Sequence, residues 1–222
     1  MKKFLCILFT VLITLTMFCA CEKKPSLFSY VSELKSDEFS GESENYKIKA
    51  TYGFYEVPKE NDGKVGNRAY TLSFKLPNKE TENATYVLSL TFNEKIYKAV
   101  FKLNPVSNNL CAYIELDGFN LKSFDVTLFC GADAEKVTLS SIVPDTAMNY
   151  ETALSHLYKE QKDLIDNYFD KDGNFTAELY ARIIVKDDKP YWYFGIATGN
   201  DNLKALLIDG ITGEVLAIRE VF

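Results

Sequence analysis

The stretch YVLSLTFNEKIYKAVFKL (86–103) decides the fold class, because apolar and polar residues alternate on both sides of a short break. The apolar residues that share a face are Tyr86, Leu88, Leu90 and Phe92 before the break and Tyr97, Ala99, Phe101 and Leu103 after it. Alternation with a period of two is typical of a β-strand with one buried face. The polar letters NEK (93–95) between the two segments predict the turn of a β-hairpin.

The same alternation continues on both sides of this hairpin. It predicts further strands at 46–54, 70–76, 110–116, 124–130 and 137–143. Aromatic residues make up 14% of the chain, and they suit the pleated surface of a sheet. Seven short strands separated by Gly, Asn or Pro predict an N-terminal antiparallel β-sandwich over 44–143.

The pattern changes at Pro144. Asp145 or Thr146 can cap a helix, and the apolar residues of 147–168 recur at helical spacing. Alternation then returns at 179–185, 191–197, 203–208 and 215–221. The sequence therefore predicts a mainly β protein with a C-terminal α+β module over 144–222, in which one helix packs on a three- or four-stranded antiparallel sheet.

The end of this module carries a recognisable pattern. The letters NYETAL (149–154) lie in the predicted helix, and LLIDGITGEVLAI (206–218) contains the last predicted turn. The order of helix, strands and closing motif resembles a PepSY domain over about 145–222. The residues that match the closing motif are Asp209, Thr212, Gly213 and Glu214. The resemblance implies an extracytoplasmic module that restrains or modulates peptidases and contributes no catalytic residue.

The same motif also fits a plain hairpin turn. An aspartate side chain accepts hydrogen bonds from backbone N–H groups two residues on, and glycine supplies a positive φ. Asp209 and Gly213 have the positions for both roles. The sequence leaves the two interpretations open.

The first residues form a targeting segment. Lys2 and Lys3 precede an apolar run at 4–18. The run is shorter than the roughly 20 apolar residues that a spanning helix needs, and it has the length of a signal-peptide core. An ordinary cleaved secretory signal and an uncleaved short anchor both fit this run on its own.

The letters FCAC (18–21) favour a third interpretation. They resemble the lipobox of bacterial lipoproteins, in which a small residue precedes the lipidated cysteine. Ala20 makes Cys21 the lipid attachment residue, although Phe18 departs from the usual aliphatic residue. The resemblance implies a protein anchored to the cell membrane by lipid, facing outside the cytoplasm. The resulting organisation is a signal peptide at 1–20, a tether and lead-in at 21–43, the sandwich at 44–143 and the α+β module at 144–222.

The net charge of the chain argues against a nucleic-acid partner. The chain carries 25 Lys and Arg against 31 Asp and Glu, a net charge of −6. Loss of residues 1–20 removes two lysines and no acid, which leaves a net charge of −8. A nucleic-acid-binding surface would be basic and clustered, so no nucleic-acid partner is expected.

Two cysteines remain in the predicted folded part, Cys111 and Cys130. They lie on consecutive predicted strands and would face each other across a hairpin if the register allowed it. Outside the cytoplasm such a pair can form a disulfide. Two buried free thiols that pack as small apolar groups are the alternative.

No catalytic, metal or cofactor site is expected. His156 is the only histidine, and neither a G-x-S-x-G nor a C-x-x-C pattern occurs in the sequence. The letters DKDGN (170–174) lack the spacing of a calcium-binding EF-hand loop. An enzyme that uses scattered carboxylates is a third hypothesis beside two binding functions.

The aromatic cluster YWYF (191–194) bears on those binding functions. Alternation places Tyr191 and Tyr193 on one face of a strand and Trp192 and Phe194 on the other. One face should pack against the helix, and the other is either covered or a platform for a sugar or a peptide.

The leading hypothesis is a non-enzymatic membrane-anchored lipoprotein that binds, and modulates, a protein partner such as a peptidase of the cell envelope. The alternative is a glycan- or cell-wall-binding surface module. A buried Trp192 favours the first hypothesis, and a Trp192 exposed in a groove favours the second.

Overall fold

The computed structural model describes residues 26–57, 66–77, 84–198 and 202–221. These residues fold mainly as β-strands, which confirms the predicted fold class at that level. The described helical elements are a 3-10 turn at Leu27–Tyr30, α1 at Tyr150–Glu160 and α2 at Lys162–Asp166. The strands are β1 (Val31–Glu42), β2 (Lys47–Val57), β3 (Asn67–Pro77), β4 (Tyr86–Phe92), β5 (Lys95–Val100), β6 (Lys102–Asn104), β7 (Asn109–Glu115), β8 (Ser123–Cys130), β9 (Asp133–Ser141), β10 (Glu178–Lys186), β11 (Lys189–Ala197), β12 (Leu203–Asp209) and β13 (Val215–Val221).

Among the described residues, nine strands lie side by side in one long row, in the order β13-β12-β11-β10-β1-β2-β3-β7-β6. Neighbouring strands run antiparallel, except that β1 and β10 are parallel. The other strands are ordered β9-β8-β4-β5, and β9 pairs with the end of β1. β5 continues through Phe101 into β6, so one bent segment pairs first with β4 and then with β7.

The first core lies between β2, β3 and β7 of the long row and the β9-β8-β4 strands. Its buried side chains include Phe39, Ile48, Leu72, Phe74, Leu88, Leu90, Leu128 and Leu139. The hairpin 86–103 contributes its alternating residues largely as predicted, but Leu103 is 53% exposed. Leu103 leaves the core because the chain turns at Phe101 and its backbone pairs with β7 instead of β4.

The second core lies between α1 and the β10-β11-β12 part of the row. The helix contributes Ala153, Leu154 and Leu157, which are buried. The strands contribute Ala181, Ile183, Trp192, Phe194, Leu206 and Ile208. The helical spacing read from the sequence therefore matches the side of α1 that is buried.

The helix begins later than predicted. Asn149, and not Asp145 or Thr146, is the N-cap, because its side chain accepts a hydrogen bond of 2.8 Å from the backbone N–H of Thr152. The predicted single helix over 147–168 is also divided in two, since Gln161 departs from helical backbone angles.

Strand β1 connects the two cores. Residues 31–42, which the sequence pattern places in a lead-in, form a strand of twelve residues. The first part of β1 pairs with β10, Phe39 and Ser40 in its second half pair with β9, and nearly its whole length pairs with β2. Leu34 is buried in the second core and Phe39 in the first. The second core therefore combines residues from before position 144, such as Leu34 of β1 and Phe54 of β2, with those that follow it.

A bulge in β1 allows this double role. The register with β2 shifts between Lys35 and Asp37. Gly53 lies opposite Lys35, and a Cβ atom at Gly53 would collide with the carbonyl oxygen of Leu34. Only glycine lets the two backbones approach this closely.

Replacement of Gly53 by alanine should therefore force β1 away from β2. We expect Gly53→Ala to lower the free energy of unfolding by at least the ~1–3 kcal/mol typical of overpacking, measured by urea denaturation. Thr51→Ala, on the same strand and face, is the control and should change it by no more than about 0.5 kcal/mol. Equal stability of the two variants would contradict the close approach.

Candidate functional site

The long row of strands has two faces, and both cores lie on the same one. Tyr52 of the first core and Phe54 of the second occupy alternate positions of β2, so they point to the same side. We call the opposite side the outer face. Its central side chains, aligned by the strand register, are Glu33, Lys35, Tyr55, Thr71, Tyr180, Arg182, Tyr191 and Tyr193.

The aromatic cluster at 191–194 is divided between the two faces. Trp192 is 1% exposed and Phe194 is 0% exposed, and their rings stack with centroids 6.0 Å apart. The Trp192 Nε1 atom donates a hydrogen bond of 2.9 Å to the carbonyl oxygen of Met148, just before α1. Tyr191 and Tyr193 lie half-buried on the outer face. Of the four residues of the predicted binding patch, therefore, only Tyr191 and Tyr193 are partly exposed and could contact a partner.

Two basic residues lie next to these tyrosines. Arg182 is opposite Tyr193 in β11 and opposite Lys35 in β1. Lys35 forms an ion pair of 2.8 Å with Glu33. The Nε atom of Arg182 is buried and has no hydrogen-bond partner within the described ranges. An arginine with an unused donor beside tyrosines is suited to hold an anionic group such as a carboxylate.

Three glutamates lie near Tyr180. Burial raises the pKa of Tyr180, and the carboxylates of Glu178, Glu33 and Glu56 raise it further. Glu178 and Glu56 are themselves buried, and Glu56 accepts a hydrogen bond from the backbone N–H of Gly66. On the outer face itself, Glu33 lies opposite Tyr180 and Lys35 lies opposite Arg182.

The closing motif folds as a tight turn. The Asp209 carboxylate accepts hydrogen bonds of 2.8 Å from the backbone N–H groups of Thr212 and Ile211. These two bonds, in that order, lower the pKa of Asp209. Gly213 has a φ of +80°, and the Thr212 hydroxyl accepts a bond of 3.3 Å from the Glu214 N–H. Each residue of the motif thus has a structural task in the turn.

The turn is also fixed to the helix. A Cβ atom on Gly213 would lie 2.5 Å from Nδ1 of His156, so the imidazole packs directly against the glycine. Glu160 of α1 accepts a hydrogen bond of 3.3 Å from the Val215 N–H. The N–H of Met148 donates to the carbonyl of Gly210 at 2.8 Å. These contacts hold the β12–β13 hairpin against α1, and they give the single histidine a packing role.

The two cysteines do not meet across a hairpin. Cys111 on β7 is opposite Lys75 of β3 and Lys102 of β6. Cys130 ends β8, which pairs with β4 and β9. Both are free thiols in this structure. The hairpin does not form because the chain crosses from the long row to the other group of strands between β7 and β8.

A polar cleft that no sequence pattern predicted lies where the two cores meet. It has a volume of about 240 Å³, and its lining includes Ser36, Asp37, Lys122, Asp145 and Tyr150. Burial raises the pKa of Asp37, while the charge of Lys122 and a hydrogen bond with Ser36 oppose this shift. None of the described residues that line the cleft is a histidine or a cysteine.

The predicted lipid attachment residue, Cys21, lies outside the residues that the structure describes. The described part of the chain contains no cluster of His, Cys, Asp and Glu that could hold a metal ion. None of the helices in it is long and apolar enough to cross a membrane.

The packing of His156 on Gly213 leads to a stability prediction. Gly213→Ala would introduce strain at positive φ, about 1–2 kcal/mol, and a clash with the imidazole. Gly131→Ala is the matched control, because Gly131 also has positive φ but a Cβ atom built on it would meet no other atom within 4 Å. We expect Gly213→Ala to cost roughly 1–3 kcal/mol more than the control in thermal unfolding.

The excess should shrink when His156→Ala is combined with Gly213→Ala, since the clash is then removed. An excess that is unchanged in the double variant would show that the imidazole is not the obstacle.

Comparison of the chain with known proteins gives no match at three levels. No protein-family model matches it. No curated protein matches it. No solved structure matches it. A functional assignment therefore rests on the geometry of the chain itself.

Proposed function

We propose that the chain is a non-enzymatic lipoprotein, anchored at the outer side of the cell membrane, that holds a protein partner on its outer face. The observation that carries this proposal is the pair of half-buried tyrosines, Tyr191 and Tyr193, next to Arg182 with its unused buried donor. Tyrosine and arginine are the residues, with tryptophan, that most often dominate the binding energy of protein interfaces.

The chemistry of this surface indicates what the partner presents. The tyrosine rings offer apolar area with few rotatable bonds, and their hydroxyl groups can still bind polar atoms. Arg182 would take a carboxylate, either of an acidic side chain or of a chain end. A partner segment with apolar residues flanking one carboxylate fits both features.

A peptidase is the partner that the closing motif favours. The motif residues Asp209 to Glu214 resemble those of PepSY domains, and α1 packs across strands β10 to β12 in the manner of a helix-on-sheet module. We propose on this basis that 145–222 is a PepSY-like α+β module. The burial of Trp192 supports the protein-partner hypothesis over an aromatic platform for glycans at 191–194.

The membrane anchor is the second part of the proposal. Five peptide units separate Cys21 from Ser26, the first described residue. An extended chain spans about 3.5 Å per residue, so acyl chains on Cys21 would keep Ser26 within about 17 Å of the membrane surface. Several acyl chains hold a protein on a membrane far more firmly than one does.

Lipidation of Cys21 can be tested by fractionation of cells that express the full chain. We expect Cys21→Ala to move the protein from the membrane to the soluble fraction and to block its processing. Cys19→Ala is the matched control and should leave both unchanged. Membrane association and unchanged processing of Cys21→Ala would refute the anchor.

The partner surface can be tested by cross-linking in the envelope fraction, with mass spectrometry of the captured proteins. The double variant Arg182→Gln and Tyr193→Ser should recover at least tenfold less of the partner, as expected for interface residues that contribute more than about 1.4 kcal/mol. Glu151→Gln with Lys159→Gln, on the exposed side of α1, is the control and should capture it normally. Equal capture by all three proteins would contradict the proposal.

A further inference from the structure

A second feature of the outer face lies away from the tyrosine pair, over β1, β2, β3 and β7. It is a pit of about 190 Å³, and its lining includes Gly53, Tyr55, Thr71, Ser73 and Tyr113. We infer that this pit binds a single ring of a neutral saccharide. The inference does not depend on the protein-partner surface, because Arg182, Tyr191 and Tyr193 do not line the pit, although Lys35 borders both sites.

The pit exists because its centre has no side chain. Gly53 lies between Lys35 of β1 and Thr71 of β3 in the register of the sheet. The bulge of β1 requires glycine at this position, as the collision of a Cβ atom with the Leu34 carbonyl shows. The same constraint that joins the two cores therefore leaves a depression in the outer face.

Aromatic rings border the depression. Tyr55 lies two residues beyond Gly53 on the same face of β2, and it is half-buried. Tyr113 lies on β7 opposite Ser73 and is 60% exposed. An exposed tyrosine ring offers an apolar surface, and its hydroxyl group can form hydrogen bonds. The C–H face of a sugar ring is the complementary surface.

The polar groups of the pit suit a ligand that both donates and accepts hydrogen bonds. Thr71 is 6% exposed, and its hydroxyl has no hydrogen-bond partner among the residues that the structure describes. Thr51 and Ser73 add two further hydroxyls to the lining. Each hydroxyl can donate one bond and accept others. Sugar hydroxyls have the same double capacity, so they would satisfy the buried Thr71 group.

The balanced charge and the small volume of the pit indicate a neutral ligand of about one ring. The charged groups of the lining, Glu33 and Lys35, already pair with each other at 2.8 Å, so the pit presents no unbalanced charge to an ionic ligand. Pockets for drug-sized ligands measure about 300–1,000 Å³. A pit of 190 Å³ holds one ring, and the rest of an oligosaccharide would lie over the sheet.

The test uses the whole chain and four probes: N-acetylglucosamine and the methyl glycosides of glucose, galactose and mannose. Saturation-transfer NMR and calorimetric titration should show saturable binding of at least one of them. Thr71→Val and Tyr113→Leu should each weaken that binding by about tenfold or more. Tyr191→Leu, a tyrosine of the other outer-face site, is the matched control and should bind normally.

The Thr71→Val variant also distinguishes a loss of sugar binding from a loss of protein stability. Removal of an unpaired buried hydroxyl is close to neutral or stabilising for the fold, so its melting temperature should equal or exceed that of the parent chain. A weaker affinity in a protein of undiminished stability would therefore support the pit.

Several results would overturn the inference. Binding of none of the four probes would do so, as would a Thr71→Val variant that binds as well as the parent chain. Loss of sugar binding in Tyr191→Leu would place the sugar elsewhere, and a cross-linked peptide mapped to Tyr113 would make the pit part of a protein interface. Loss of partner capture in the Arg182 variant is measured separately and does not affect these outcomes.

Discussion

The pairing of β1 with three strands is the constraint on which the rest of the structure depends. A strand has two hydrogen-bonding edges, so β1 can serve three partners only because β10 and β9 use different parts of the same edge. The other edge is taken by β2 over nearly its whole length. The bulge after Lys35 lets Leu34 and Phe39 each reach its own core. Among the described strands, β1 provides the only ladders that connect β10 to β13 with the rest of the sheet.

Much of the sheet could be predicted from local pattern, and β1 could not. The segments that became β4 and β8 alternate strictly, because each buries one face against a single core. In β1 the register shifts between Val31 and Glu33 and again between Lys35 and Asp37, and both shifts interrupt the alternation. Its parallel partner, β10, lies far along the chain, so no turn sequence connects the two strands.

The candidate sites, too, could be predicted only in part from local sequence patterns. The hydrogen bonds of Asp209 and the positive φ of Gly213 follow from turn chemistry, and the sequence predicted both. The packing of His156 on that turn could not be predicted, since it depends on how α1 lies across the sheet. Arg182 and Thr71 are ordinary strand residues in the sequence. They become notable only because the register leaves their polar atoms buried without partners among the described residues.

The parallel pairing of β1 with β10 also sets the order in which the protein can be completed. Val31 is matched with Leu179, so β1 can pair with β10 only after all the residues between them have been synthesised. Pairings between such distant segments are slow, since a long loop must close before any contact forms. During synthesis β1 therefore lacks its parallel partner until β10 has been made, although its antiparallel partner β2 follows it directly in the chain.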